Sequence, residues 1–142
     1  MKKRTISSVL VLASLTLVLV SEGMGEQVEK RENGPKIQVI PERLDFGKIP
    51  RLKTSRRFLV RNRGKSPLEI YHLSTSCGCA TASIDKKLIQ PGQSATLTVT
   101  FDPNAHAPPK KETTPRQRRT IYIRSNDPVT PEKVIHITAT VV

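Results

Sequence analysis

The strongest constraint on this chain is a run in which Leu97, Val99 and Phe101 alternate with Thr96, Thr98 and Thr100. A period of two puts one set on each face of an extended strand, whereas a helix would scatter the apolar set around its circumference. The alternation recurs. Phe58, Val60 and Asn62 oppose Arg57, Leu59, Arg61 and Arg63; Ile121 and Ile123 oppose Tyr122 and Arg124. Ile135, Ile137, Ala139 and Val141 oppose His136, Thr138 and Thr140. Leu68, Ile70 and Leu73 mark a strand leading into Ser74–Cys79, and Ala80–Ile84 suits another short one. Ile37 and Val39, then Leu44, Phe46 and Ile49, flank Pro41 and read as one edge strand broken by a kink. Turn signals separate these runs: Asn62-Arg63-Gly64-Lys65-Ser66-Pro67, Asp102-Pro103, Ser125-Asn126-Asp127-Pro128 and Gln90-Pro91-Gly92-Gln93, the last with Gly92 expected left-handed. No stretch of helical period exceeds two turns. About seven short strands between Gly/Pro turns predict an all-β antiparallel sandwich.

The first residues stand outside that pattern. Met1-Lys2-Lys3-Arg4 is a positive start, Ile6–Val20 is apolar apart from Ser7, Ser8, Ser14 and Thr16, and small residues follow at Ser21, Gly23 and Gly25. This order is that of a secretory signal peptide. The apolar run is shorter than the ~20 residues a spanning helix needs, so no transmembrane anchor is expected after processing. No Cys follows the run, which closes the lipoprotein route. The expected organisation is a signal peptide over 1–25, a flexible leader over 26–36 and the sandwich over 37–142. The exported product is expected in the periplasm or the medium.

Charge sets the choice of partner. The chain carries a formal net charge of +12, and a surface of that sign favours anionic partners or serves only solubility. Arg43–Lys65 holds nine basic residues and one acid, Asp45, with Arg57, Arg61 and Arg63 on one strand face. The segment 104–119 has no strand pattern; it contains Pro108, Pro109 and Pro115 and the bases Lys110, Lys111, Arg116, Arg118 and Arg119. A loop that long is functional or disordered. With only five aromatics (Phe46, Phe58, Tyr71, Phe101 and Tyr122), a stacking platform for nucleic acid is not supported. The basic residues form a solvated face or a dock for an anionic envelope component or a protein. A monomer or weak oligomer is expected, and a partner's strand added to an open sheet edge is a further mode.

Cys77 and Cys79 are the one pair with reactive chemistry at suggestive spacing. Two Cys in an exported chain normally pair. Residues two apart in a strand, however, lie ~6.6 Å apart, at the outer edge of disulfide geometry, and Gly78 is the residue suited to closing the gap. So small a ring gives ~1.6 kcal/mol of chain-entropy stabilisation before strain. Three readings stay open: a local disulfide or two half-buried thiols shaping a turn, a redox-active pair, and a soft-metal site. Two thiolates suit Cu(I), with His72 five residues upstream as a candidate third ligand. Against redox work stand the lack of Cys-x-x-Cys and of a helix N-terminus. His106 and His136 have no spacing that suggests a site. There is no phosphate loop, His-Glu-x-x-His or nucleophile elbow. Asp45, Asp85, Asp102 and Asp127 stand at turns, where Asx turns are the expected role. An enzyme is not expected.

Several blocks, in order, resemble the bacterial family called domain of unknown function 1573. They are Leu44-Asp45-Phe46-Gly47-Lys48-Ile49, Phe58–Gly64, Pro67-Leu68-Glu69-Ile70, Ser76-Cys77-Gly78-Cys79-Ala80-Thr81, Ile89–Gln93, Leu97–Asp102 and Ser125–Pro128. The resemblance covers Ile40 to Val142. It implies an immunoglobulin-like sandwich, similar to Hydin and PapD-like domains, in exported bacterial proteins, and it implies no reaction. The basic segment 104–119 departs from the family pattern, which has a Gly and an aromatic residue before the Ile-Tyr-Ile strand.

Overall fold

A computed structural model describes residues 22–105 and 116–142. Among these residues nine strands follow one helix: α1 (Glu22–Asn33), β1 (Ile37–Ile40), β2 (Leu44–Ile49), β3 (Thr54–Asn62), β4 (Leu68–Thr75), β5 (Ala80–Ile84), β6 (Leu88–Ile89), β7 (Ser94–Phe101), β8 (Arg116–Ser125) and β9 (Glu132–Val141). They build a four-stranded sheet ordered β1-β3-β7-β5 and a five-stranded sheet ordered β2-β9-β8-β4-β6. All pairings are antiparallel except β2 with β9. Two facing sheets in this order form an immunoglobulin-like sandwich.

Strand parity decides which residues meet between the sheets. Phe58, Val60, Leu97, Val99 and Phe101 from one sheet face Leu68, Ile70, Ile121, Ile123, Ile135 and Ile137 from the other, and all are buried. Burying one such side chain contributes about 1.5–3 kcal/mol. The register slips between Ile70 and His72 where β4 pairs with β8. That bulge explains why the inward positions of β4 advance by two residues from Leu68 to Ile70 and then by three to Leu73. Gly92 has φ +77°, the left-handed conformation its turn requires.

Three expectations are corrected. The single kinked edge strand is two strands: β1 pairs with β3 in one sheet, β2 with β9 in the other, and Pro41 lies where the chain crosses, after a cis Ile40–Pro41 bond. In place of a flexible leader, Glu22–Asn33 is helical. Its Glu, Gln, Lys and Arg residues favour a helix, and Lys30 and Arg31 complement the dipole in the last turn. Its end is tied down by Ser66 Oγ donating to Asn33 O (2.7 Å) and Lys65 Nζ to Asn33 Oδ1 (3.1 Å). Finally, the stretch expected to be irregular over 104–119 contains strand, while its residues 106–115 lie outside the described residues. Arg116–Arg119 are strand, in register with Thr140–Ile137, because a ladder onto β9 can extend through charged residues with no apolar alternation.

Candidate functional site

The site grows from the turn between β4 and β5. Ser76 is fixed against β8 by two hydrogen bonds: its N–H donates to Thr120 O (2.9 Å), and Thr120 N–H donates to Ser76 Oγ (3.0 Å). Thr75 Oγ1 lies 2.8 Å from both Cys77 O and Ala80 O. Ala80 N–H donates to Cys77 O at 3.4 Å, and Asp102 N–H donates to Cys79 O at 2.8 Å. The turn is thereby held to both sheets through its backbone.

This folding brings the two Cα atoms to 5.3 Å, and Cys77 and Cys79 are joined in a disulfide. Gly78 closes the turn without a left-handed backbone; among the described residues the glycines with positive φ are Gly47 and Gly92. The two sulfurs differ in surroundings. Cys79 is 5% exposed, while Cys77 is half-buried between the exposed Ser76 and Gly78. Arg119 Nε donates to Cys79 Sγ at 2.9 Å. The rest of that guanidinium is held by Arg118 O (2.8 Å from Nη1) and Gln117 Oε1 (2.7 Å from Nη2), and its carbon lies 5.9 Å from the centroid of the Phe101 ring. Each of these contacts keeps a cation beside Cys79. Among the described residues the sole ion pair is Arg124–Glu132, so Arg119 has no carboxylate there to neutralise it.

The other sequence candidates fall in separate places. His72 is exposed on β4, in register with Arg124. Among the described residues no group of three or more His, Cys, Asp or Glu could hold a metal ion. Arg57 and Arg61 are exposed on the outer face of the four-stranded sheet with Leu59, and Arg63 follows at the end of β3. Arg61 and Arg63 line an open recess of about 480 Å³ with Gln38, Ile40, Gly64 and Gly92. Arg116 and Arg118 are exposed on the five-stranded sheet, so they belong to a different face from Arg57 and Arg61. Arg119, grouped with them in the sequence, turns inward instead. Its parity with Ile121 and Ile123 is the signal that sequence reasoning passed over. Lys110 and Lys111 lie outside the described residues.

The aspartates serve turns and pairing. Gly47 N–H donates to Asp45 Oδ1, Asn104 N–H to Asp102 Oδ1, and Val129 and Thr130 N–H to Asp127 Oδ1. The Gly47 bond holds the Asp45 carboxyl below the usual carboxylate range. Asp85 differs in reaching across to β7: Thr96 N–H donates to its Oδ1 at 2.8 Å and lowers its pKa likewise.

The sandwich and its disulfide-bearing turn coincide with a family match. The model for "Protein of unknown function (DUF1573)" matches residues 37–141. The chain belongs to this family. No curated protein matches the sequence. Among solved structures, a protein of unknown function from Porphyromonas gingivalis W83 is 27% identical with a TM-score of 0.67. The match covers 78% of this chain and 48% of that one, so the chain spans about half the length of that relative. Two more distant likenesses show the fold alone. The ASH/PapD-like domain 7 of human CEP192 is 10% identical with a TM-score of 0.53, covering 98% of each chain. The YadV chaperone is 14% identical with a TM-score of 0.51, covering 73% of this chain and 51% of that one.

Proposed function

We propose that this chain is an exported, non-enzymatic binding domain whose arginine-bearing sheet face docks on an anionic component of the bacterial envelope. The observation that carries the reading is the outer face of the four-stranded sheet. Strand register places Arg57 opposite Thr98, Leu59 opposite Thr96 and Arg61 opposite Ser94, with Ile40 beside Leu59. Ile40 and Leu59 are exposed apolar residues at 38% and 46%. Arg57, Arg61 and Arg63 form no ion pair among the described residues. A face with guanidinium groups that form no ion pair among the described residues, set around two apolar side chains, suits a surface that is anionic and partly apolar. Export is included in the proposal and rests on the charged start and apolar run of residues 1–25.

Sheet edges offer a second mode, favoured at β5 over β1. β1 has only four residues, its first amide is taken by Asp127, and Pro41 follows it. Such features blunt an edge. β5 is the other outer strand of this sheet.

The test is co-sedimentation of the exported protein with phosphatidylglycerol vesicles and with phosphatidylcholine vesicles. The expected result is binding to the first alone, lost on adding salt and lost in the Arg57→Ser/Arg61→Ser/Arg63→Ser variant. Absence of binding at low salt, or binding that ignores salt or these substitutions, overturns the reading.

A further inference from the structure

We propose that Cys77–Cys79 is a thiol–disulfide exchange site in which Cys77 Sγ is attacked and Cys79 leaves as a thiolate held by Arg119. The inference concerns the turn between β4 and β5 and is independent of the arginine face on β3.

Three observations carry it. The bond adds little as a staple, because it encloses one residue and the turn is already held by Ser76–Thr120, Ala80 N–Cys77 O and Asp102 N–Cys79 O. The sulfurs are unequal: Cys79 is buried, whereas Cys77 is half-exposed between Ser76 and a residue with no side chain. An incoming thiolate therefore reaches Cys77 Sγ. Third, a positioned cation donates to Cys79 Sγ. A disulfide sulfur is a weak acceptor and gives little reason to turn an arginine inward. A thiolate is a strong one, and a nearby Arg lowers the pKa of a thiol. A leaving thiol of lower pKa leaves faster.

The step balances with a dithiol as co-reactant, the cysteine pair of a reduced exported protein. One thiolate of the dithiol forms a bond to Cys77 Sγ. The Cys77–Cys79 bond breaks, and its electron pair goes to Cys79 Sγ beside Arg119. The second thiolate of the partner then attacks its own sulfur in the mixed disulfide and displaces Cys77 as thiolate, which takes up a proton. The partner is oxidised by two electrons to a disulfide, and this domain is reduced by two to a dithiol. The same steps in reverse let the reduced domain act as a reductant.

The experiment uses the protein exported by its own signal. Brief reaction with reduced glutathione, acid quenching and peptide mass analysis locate the mixed disulfide. Alkylation rates of the dithiothreitol-reduced protein against pH then give the thiol pKa of each cysteine. Expected are an adduct on Cys77 and a Cys79 pKa at least about one unit below the ordinary ~8.5. In Arg119→Gln that pKa returns toward ~8.5 and reduction slows several-fold, while Arg119→Lys recovers some of both. An adduct on Cys79, or a Cys79 pKa at or above ~8.5, overturns the proposal. So does an Arg119→Gln protein with wild-type rates and pKa. The first two readouts need no variant, so they decide the matter even if the substitution prevents folding.

Discussion

Asn62 and Asp127 take the backbone amides of consecutive residues: Lys36 N–H donates to Asn62 Oδ1 at 3.2 Å and Ile37 N–H to Asp127 Oδ2 at 2.9 Å. Asn62 closes β3 in one sheet, and Asp127 sits in the turn joining β8 to β9 in the other. Both are almost fully buried. Together they fix where the chain enters β1, a short strand that could not set its own register.

Asn62 also accepts from Gly64 N–H (2.9 Å) and donates through Nδ2 to Ser66 O (2.7 Å) and Ile89 O (2.9 Å). Replacing it by Ala strips four backbone groups of this partner, Ile89 O in a buried bond and the other three in part-buried ones. Asn62→Ala is expected to destabilise the domain by about 2–4 kcal/mol in urea unfolding. Asn62→Asp keeps the acceptor but turns a charge onto two carbonyls. Its stability should therefore improve as pH falls and the carboxyl is protonated.

Gly64 and Gly92 are required for different reasons. A Cβ at Gly64 would meet the backbone at Gly34 O, Lys36 N and Pro35 Cα, whereas at Gly92 it meets open space but an unfavourable φ. Gly92→Ala should cost about 1 kcal/mol. Gly64→Ala should cost more, because backbone has to move, and should also loosen the start of β1. Thermal unfolding of the two variants side by side checks the order.

Asp85 ties the end of β5 to β7 through a reciprocal pair, Thr96 N–H to Oδ1 and Asp85 N–H to Thr96 O. Its folded pKa is lowered, chiefly by the Thr96 amide. The stabilisation is therefore complete above the unfolded value of ~3.9 and is lost as pH falls through the lower folded value. Acid unfolding of Asp85→Asn should lack this component, giving a shallower fall in stability below about pH 4 than wild type.

Removing the disulfide should matter little to folding. Cys77→Ala/Cys79→Ala is expected to lose no more than ~2 kcal/mol, the chain-entropy value for so small a loop plus modest packing at Cys79. Urea unfolding under oxidising conditions measures it.

Strand parity made the centre of the fold legible: Phe58, Val60, Leu97, Val99, Ile121 and Ile137 are read inward from sequence and lie there. The choice of sheet was not legible. Ile37–Ile49 carries one apolar pattern, and only the partner strands reveal that Pro41 separates two sheets. β6 has just two residues and leaves no periodicity to read. For the cysteines, spacing left the bond open because an extended chain holds the pair at the outer edge of disulfide geometry; the turn closed by Ala80 N and Cys77 O brings them to 5.3 Å. Arg119 was hidden by composition, since a base among bases reads as surface even at an inward position.

The parallel pairing of β2 with β9 gives the domain a direction in which it resists load. β2 lies near the beginning of the sandwich and β9 at its end, with Leu44 opposite Ile137, Ile49 opposite Val141, and Val142 N–H donating to Ile49 O. Tension drawn between the start of β2 and the end of β9, once β1 has left β3, slides these two strands along each other, so their hydrogen bonds are strained together. An antiparallel hairpin pulled from its open end would instead lose its bonds singly, in sequence. A domain tethered at one end and pulled at the other is thus closed by a shear clasp rather than a zip.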